Sequence, residues 1–427
     1  MRSSPATLSS SEFNVRDFGE LAAAVPPTLP PELAYVLLLF ALFVVPRFLQ
    51  RYRLPAAVTS VALGAVAGMG FGLFQKDTTI QILSTFGIVS LFLFAGLEVD
   101  FAGLRKETPV LLQHLVIRVI LLAAATWVAQ RMLNLELRPA CLVALALFTP
   151  SAGFILDSLG ALGVTDRERF WIQSKAIATE LVALGVLFVT LQSVTAARFA
   201  ISTAVLVVLV ALLPLAFRAF AAMVVPYAPK SEFAFLLMIA VLAAFATRAL
   251  GVYYLLGAFV AGLTARRFRQ ELPAMASEQM LHAVEVFASF FVPFYFFNNG
   301  LHLRREDLGL NALVLGAVFL LTAVPLQLLI VAAHRRLTLG EPFPRGFRIG
   351  ASIAPTLVFT LVIAEILRDR FNVPPYLFGG LIVYTLANTL IPGLVLKLPP
   401  PAFEAPHVPE LETLRARQGD KVEDVEG

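Results

Sequence analysis

Uncharged apolar stretches as long as a bilayer is thick recur along the whole chain, and they limit what it can fold into. Crossing a ~30 Å hydrocarbon core as a helix takes about 20 residues. Runs such as "AISTAVLVVLVALLPLAF" and "LNALVLGAVFLLTAVPLQLLIVAA" supply that length. Lipid offers the backbone no hydrogen bonds, so each run must satisfy its own N–H and C=O groups, as a helix does. Thirteen candidate spans lie at about 32–50, 55–74, 80–101, 109–132, 140–160, 171–194, 199–224, 232–250, 252–266, 280–301, 310–333, 347–367 and 374–397. The eighth and ninth are separated only by "ALGVY" and can be read as one broken unit. The expectation is an all-α polytopic membrane protein of about 13 transmembrane helices.

Composition excludes most other classes. The chain is 58% hydrophobic and 15% charged, against roughly 45–50% and 25% for soluble domains. A net charge of +4 therefore implies no nucleic-acid partner; the partner is the lipid bilayer. The single cysteine, Cys141, excludes an intramolecular disulfide and a thiolate metal cluster. Five histidines without ligand spacing, no Gly-rich phosphate loop and no Ser-His-Asp order leave no cofactor to expect. Residues 1–31 read as a polar lead-in without the apolar core of a signal peptide, and 398–427 as a short, finally acidic tail.

Lys and Arg set the expected orientation. The loops holding Arg47, Arg51 and Arg53, then Arg105 and Lys106, Arg167 and Arg169, Arg218 and Lys230, Arg266, Arg267 and Arg269, and Arg335 to Arg348, alternate with poorer ones. Placing the basic loops in the cytoplasm puts the N-terminus outside and the C-terminus inside, in a plasma membrane of bacterial inner-membrane type.

Thirteen spans divide into six, a linker and six, which suggests inverted repeats: about 32–194, a linker helix at 199–224, and 232–397. Two breakers support the division. Pro150 lies midway along the fifth span between Thr149 and Ser151, and Pro355 midway along the twelfth near Ser352 and Thr356. Proline removes a backbone donor, and a broken helix survives at membrane depth only when buried in protein or lining a wet cavity. Two broken helices that cross are the expected centre.

One acid shares that depth. Glu180 is nine residues into the sixth span, roughly 13 Å at 1.5 Å per residue, near the midplane. A carboxylate there costs about 2.5–3.5 kcal/mol and marks function by default. Low dielectric favours its neutral form, so it can exchange a proton for a cation. Arg118, at similar depth in the fourth span, is the first counter-charge candidate; Lys175, about 6 Å deep, is the second and is expected to sit at a solvated helix end.

Several stretches together resemble the cation:proton antiporter superfamily, the sodium or potassium/proton exchangers, in the manner of its monovalent cation:proton antiporter-2 branch. They are "STFGIVSLFLFAGLEVDFAGLRK", "LALFTPSAGFILDSLGALGV", "YLLGAFVAGLTARR" and "FFVPFYFFNNGLHL". The resemblance runs from the second span to the thirteenth. It implies broken helices crossing beside an ion-binding acid, movement against a dimerisation domain, and hence a homodimer. The family's acid follows Asn, Asp or Gln; here that place is Thr179-Glu180. Thr179, Thr149 and Ser151 then join Glu180 as cation or proton ligands, and Pro150, Pro355 and Thr356 mark the broken helices.

Departures from the pattern shape the expected activity. The second acid is missing, and the eleventh span has Pro325 and Gln327 where electrogenic members carry a basic residue. Arg118 is a candidate replacement. The resemblance implies a secondary transporter, not an enzyme: Na⁺ or K⁺ exchanged for H⁺, electroneutrally, at Glu180. The alternatives are a non-transporting protein on the same scaffold and a symporter for a small organic solute. Among smaller features, Glu98 and Asp100 suit a polar helix end, Asn298 and Asn299 suit either a vestibule or a helix stop, and His282 and Glu285 share a helix face.

Overall fold

The computed structural model describes residues 30–99, 108–158, 164–228, 231–251, 254–268 and 278–396; the lead-in, the tail, Asp100, Arg105, Lys106, Lys230 and Arg269 lie outside them. Among the described residues the secondary structure is helical throughout, without a strand. The described chain begins with α1 (Pro31–Gln50), α2 (Ala56–Ala65, prolonged by a π turn Val66–Gly70), α3 (Thr78–Leu97) and α4 (Thr108–Leu133). It continues with α5 (Leu137–Phe148), α6 (Ala152–Ser158) and α7 (Asp166–Gln192). After α8 (Ala196–Met223) follow α9 (Glu232–Ala249), α10 (Tyr254–Phe268), α11 (Glu278–Leu301), α12 (Leu310–Leu339), α13 (Phe343–Ser352), α14 (Leu357–Phe371), α15 (Pro375–Thr389) and α16 (Ile391–Val395).

Each expected span coincides with a helix or a broken pair, and α9 and α10 are separate helices. Membrane-crossing length is a stricter test. Among the described residues ten spans are long and apolar enough, with α5 and α6 together forming one of them, and eleven pass if the bent pair α13–α14 also counts as one. Ala56–Gly70 is apolar but shorter, and the described part of α10 has 15 residues, so thirteen crossings are not established. The protein is a multi-pass membrane protein.

Local chemistry ends the helices where the loops begin. The Asp77 carboxylate accepts from Ile80 N at 3.0 Å at the start of α3. Thr165 and Glu168 form a capping box on α7. The long α12 stops at Gly340, whose φ of 64° is left-handed, a turn that glycine makes without a Cβ penalty.

Two glycine crossings set how closely the scaffold helices pack. A Cβ on Gly300 of α11 would lie 2.9 Å from the Cα of Gly64 in α2 and 2.1 Å from the Val61 carbonyl oxygen. A Cβ on Gly96 of α3 would lie 3.0 Å from the Cα of Gly262 in α10 and 2.4 Å from the Phe259 oxygen. Backbone meets backbone in both places, the small-residue packing that membrane helices use for close approach. Gly300→Ala should therefore destabilise by about 1–3 kcal/mol, lowering the unfolding temperature in detergent. Gly185→Ala, with nothing within 4 Å of its Cβ, should be neutral or slightly stabilising.

Candidate functional site

Both broken helices leave backbone groups unsatisfied in the protein interior, and the site is built from what satisfies them. At the end of α5 three carbonyls point into the crossing. Thr360 Oγ1 donates to Ala146 O at 2.7 Å. Gln327 Nε2 and Tyr384 Oη donate to Leu147 O at 2.8 and 2.6 Å. Arg118 Nη1 reaches Phe148 O at 3.4 Å. Four helices (α4, α12, α14 and α15) thus cap one helix end, as buried carbonyls require.

Ser151 fastens the two breaks together. Its N–H donates to Pro355 O at 2.9 Å, and its Oγ accepts from Val358 N and Phe359 N, at 3.0 and 3.2 Å, in the first turn of α14. Thr356 Oγ1 accepts from Asn388 Nδ2 at 3.2 Å, and lies 2.8 Å from Thr360 Oγ1 and 3.2 Å from Thr385 Oγ1. Pro150 and Pro355 sit at the breaks, between α5 and α6 and between α13 and α14; the second pair is bent by 51°.

Glu180 meets this crossing from α7. It is 1% exposed, and its Oε2 accepts from Ala152 N, the first residue of α6, at 3.2 Å. The carboxyl therefore sits at the positive end of a half-helix. Among the described residues no Lys, Arg or His lies within ion-pair distance of it. Thr149 is completely buried, and its hydroxyl has no partner there.

The other expected site residues are placed differently. Thr179 Oγ1 donates to Lys175 O at 2.7 Å and lies 3.1 Å from His114 Nε2, so Thr179 contacts α4 while Glu180 contacts α6. Arg118 is 1% exposed, engages the Phe148 carbonyl rather than Glu180, and among the described residues has no partner for Nε or Nη2. Lys175 corrects the expectation of a solvated helix end. It is fully buried, with Nζ 3.3 Å from His334 Nδ1 and 5.8 Å from the centroid of the Trp171 ring, because α12 covers this face of α7.

Sequence reasoning missed Tyr384, Thr360 and Asn388 as parts of the crossing. Their one local signal was a polar group in an apolar run. Of the smaller features, Asn299 is buried and donates to Tyr295 O at 2.8 Å within α11. Glu98 follows the last residue of α3, and His282 and Glu285 form an exposed pair at 3.5 Å. A cavity of about 230 Å³ lined by Phe94, Glu98, Leu156, Arg169, Gln173, Leu281 and Glu285 lies beside α6 and α7. Gln173 is seven residues before Glu180, on the same face of α7, but Glu180 does not line the cavity. Among the described residues, no group of His, Cys, Asp and Glu could hold a resident metal ion.

The family profile "Sodium/hydrogen exchanger, transmembrane" matches residues 37–399. The chain belongs to this exchanger family. A curated relative, the probable Na(+)/H(+) antiporter 3 of Methanocaldococcus jannaschii, is 24% identical over 374 residues, 85% of this chain and 95% of that protein. Two solved structures of the sodium proton antiporter MjNhaP1 from the same organism share the fold. One aligns with a TM-score of 0.63 at 13% identity, covering 86% of this chain and 95% of its own. The other gives 0.64 at 15% identity, covering 88% and 99%. Membership in this exchanger family fits a transporter rather than an enzyme.

The crossing yields its own test. Ser151→Ala strips two buried N–H groups of their acceptor, so it should cost about 1–3 kcal/mol per group left unpaired. Tyr384→Phe should cost about 1 kcal/mol, because Gln327 still serves the Leu147 carbonyl. Thermal unfolding of both variants in one detergent checks the order.

Proposed function

We propose that this protein exchanges a monovalent cation, Na⁺ or K⁺, for a proton, with Glu180 as the group that holds one or the other. The observation that carries the reading is Glu180 itself: buried, bonded to the first N–H of α6, and without an ion pair among the described residues. A carboxylate so placed is costly unless neutralised, and a single positive ligand neutralises it. A proton does so covalently. A cation does so with help from neighbouring oxygens, for which Thr149 has a hydroxyl without a partner among the described residues and Ser151 is the further candidate.

One carboxyl binding one charge per state makes the exchange one for one, and therefore electroneutral. Arg118, on the Phe148 carbonyl, offsets the negative end of α5. The names of the similar proteins support sodium first. In the same reading the chain has two inverted repeats, about 32–194 and 232–397, which the matched glycine crossings of α2 with α11 and α3 with α10 support. The working unit is a homodimer in a bacterial inner membrane, N-terminus outside and C-terminus cytoplasmic.

Proteoliposomes with an internal pH dye test the activity. Adding Na⁺ or K⁺ should move protons, unaffected by clamping the membrane potential. The apparent KM for the cation should rise as pH falls, since the two ligands compete for one carboxyl. Glu180→Gln should reduce exchange by about a hundredfold or more, since an amide cannot exchange a proton. Exchange surviving in Glu180→Gln would remove Glu180 from the site. Absence of any ion-dependent pH change between pH 6 and 9 with lithium, sodium, potassium or rubidium would sink the antiport reading.

A further inference from the structure

We propose that α13 and the start of α7 form a binding site for an anionic phospholipid, whose phosphate lies between Arg345 and Arg348 and whose acyl chains lie against Phe343 and Phe347. The exchange mechanism uses none of these side chains. Helix α13 is short, strongly two-sided and bent by 51° from α14. One side is packed: a Cβ on Gly346 would meet Ala332 at 2.6 Å, and one on Gly350 would meet Leu328 at 3.2 Å, both of α12. The open side carries two chemistries next to each other. Phe343 and Phe347, one turn apart, are 45% and 36% exposed, with ring centroids 6.3 Å apart. Arg345 and Arg348, also one turn apart, are 40% and 43% exposed. Aromatic and basic faces side by side are the pattern of helices that lie in the headgroup boundary.

Charge selects the headgroup. Arg345 and Arg348 share a single carboxylate, Glu168, each at 3.7 Å. Arg335 is already neutralised by Glu341, through contacts of 2.8 and 2.5 Å. The Arg345–Arg348–Glu168 group is left with one positive charge, which complements the single negative charge of an anionic phosphodiester lipid; a zwitterionic lipid brings none. Guanidinium forks suit phosphate oxygens. Glu168 is not orphaned when a phosphate draws the arginines, because it keeps its bonds to Thr165 N and Oγ1 at 3.0 and 3.1 Å. A lipid held here touches the first half of one broken helix and the start of the helix that carries Glu180. It therefore braces two parts of the site whether or not Glu180 carries the exchange.

Binding can be read without transport. Full-length protein in detergent is titrated with phosphatidylglycerol, phosphatidylcholine or inorganic phosphate while thermal unfolding is followed. Phosphatidylglycerol alone should raise Tm saturably. The Arg345→Gln/Arg348→Gln variant should bind it on the order of thirtyfold more weakly, about fivefold per arginine. An equal effect of phosphatidylcholine, or an undiminished effect in the double variant, overturns the proposal; an equal effect of inorganic phosphate makes this a free-anion site and overturns it as well. Should the double variant not fold, wild-type protein labelled with headgroup-photoreactive phosphatidylglycerol decides. Adducts on residues 341–349 or 165–169 support the site, and adducts only elsewhere reject it.

Discussion

Everything at the centre of this protein depends on how Ser151 resolves a backbone problem. Two helices stop in the middle of the membrane domain, where water cannot complete their hydrogen bonds. One serine answers for both: its N–H donates to the far break at Pro355, and its hydroxyl receives two N–H groups of α14. The facing end of α5 is closed by side chains from α4, α12, α14 and α15. With the backbone satisfied in this way, the first N–H of α6 is left for Glu180.

That arrangement separates the acid from the basic side chains nearby. Arg118 is committed to a carbonyl, and Lys175 to His334. Glu180 consequently meets a half-helix dipole and, among the described residues, no partner charge. A carboxyl held by a fixed ion pair would have to break it in every cycle, at the several-kcal/mol cost of separating buried charges. A carboxyl held by one backbone N–H has no such pair to break, which suits the proposed exchange. The glycine crossings of α2 with α11 and α3 with α10 hold the surrounding scaffold in close contact.

Much of this was legible in the sequence, because the informative features are local anomalies in an apolar background. Pro150, Pro355 and Glu180 stand out in largely apolar runs, and simple depth arithmetic puts them level with one another. The helical fold followed from the apolar runs, although the described part of α10 and the helix 56–70 are shorter than a full crossing. The rotation of α7 was not legible. Adjacent residues on a helix face different neighbours, so Thr179 turned to His114 and not to the acid's side. The burial of Lys175 depends on His334, 159 residues away, and the caps on α5 from Gln327, Thr360 and Tyr384 come from even farther along the chain. No local pattern encodes such pairings.

The central claim is that one carboxyl holds either one proton or one cation. Proton release on cation binding to the detergent-purified protein measures this directly, by titration in buffers of different ionisation enthalpy above the pH at which half the sites are protonated and again below it. The account predicts that release approaches one proton per cation on the acid side, falls towards zero on the alkaline side, and is absent from Glu180→Gln at every pH. Release approaching two protons per cation, or undiminished release from Glu180→Gln, would contradict it.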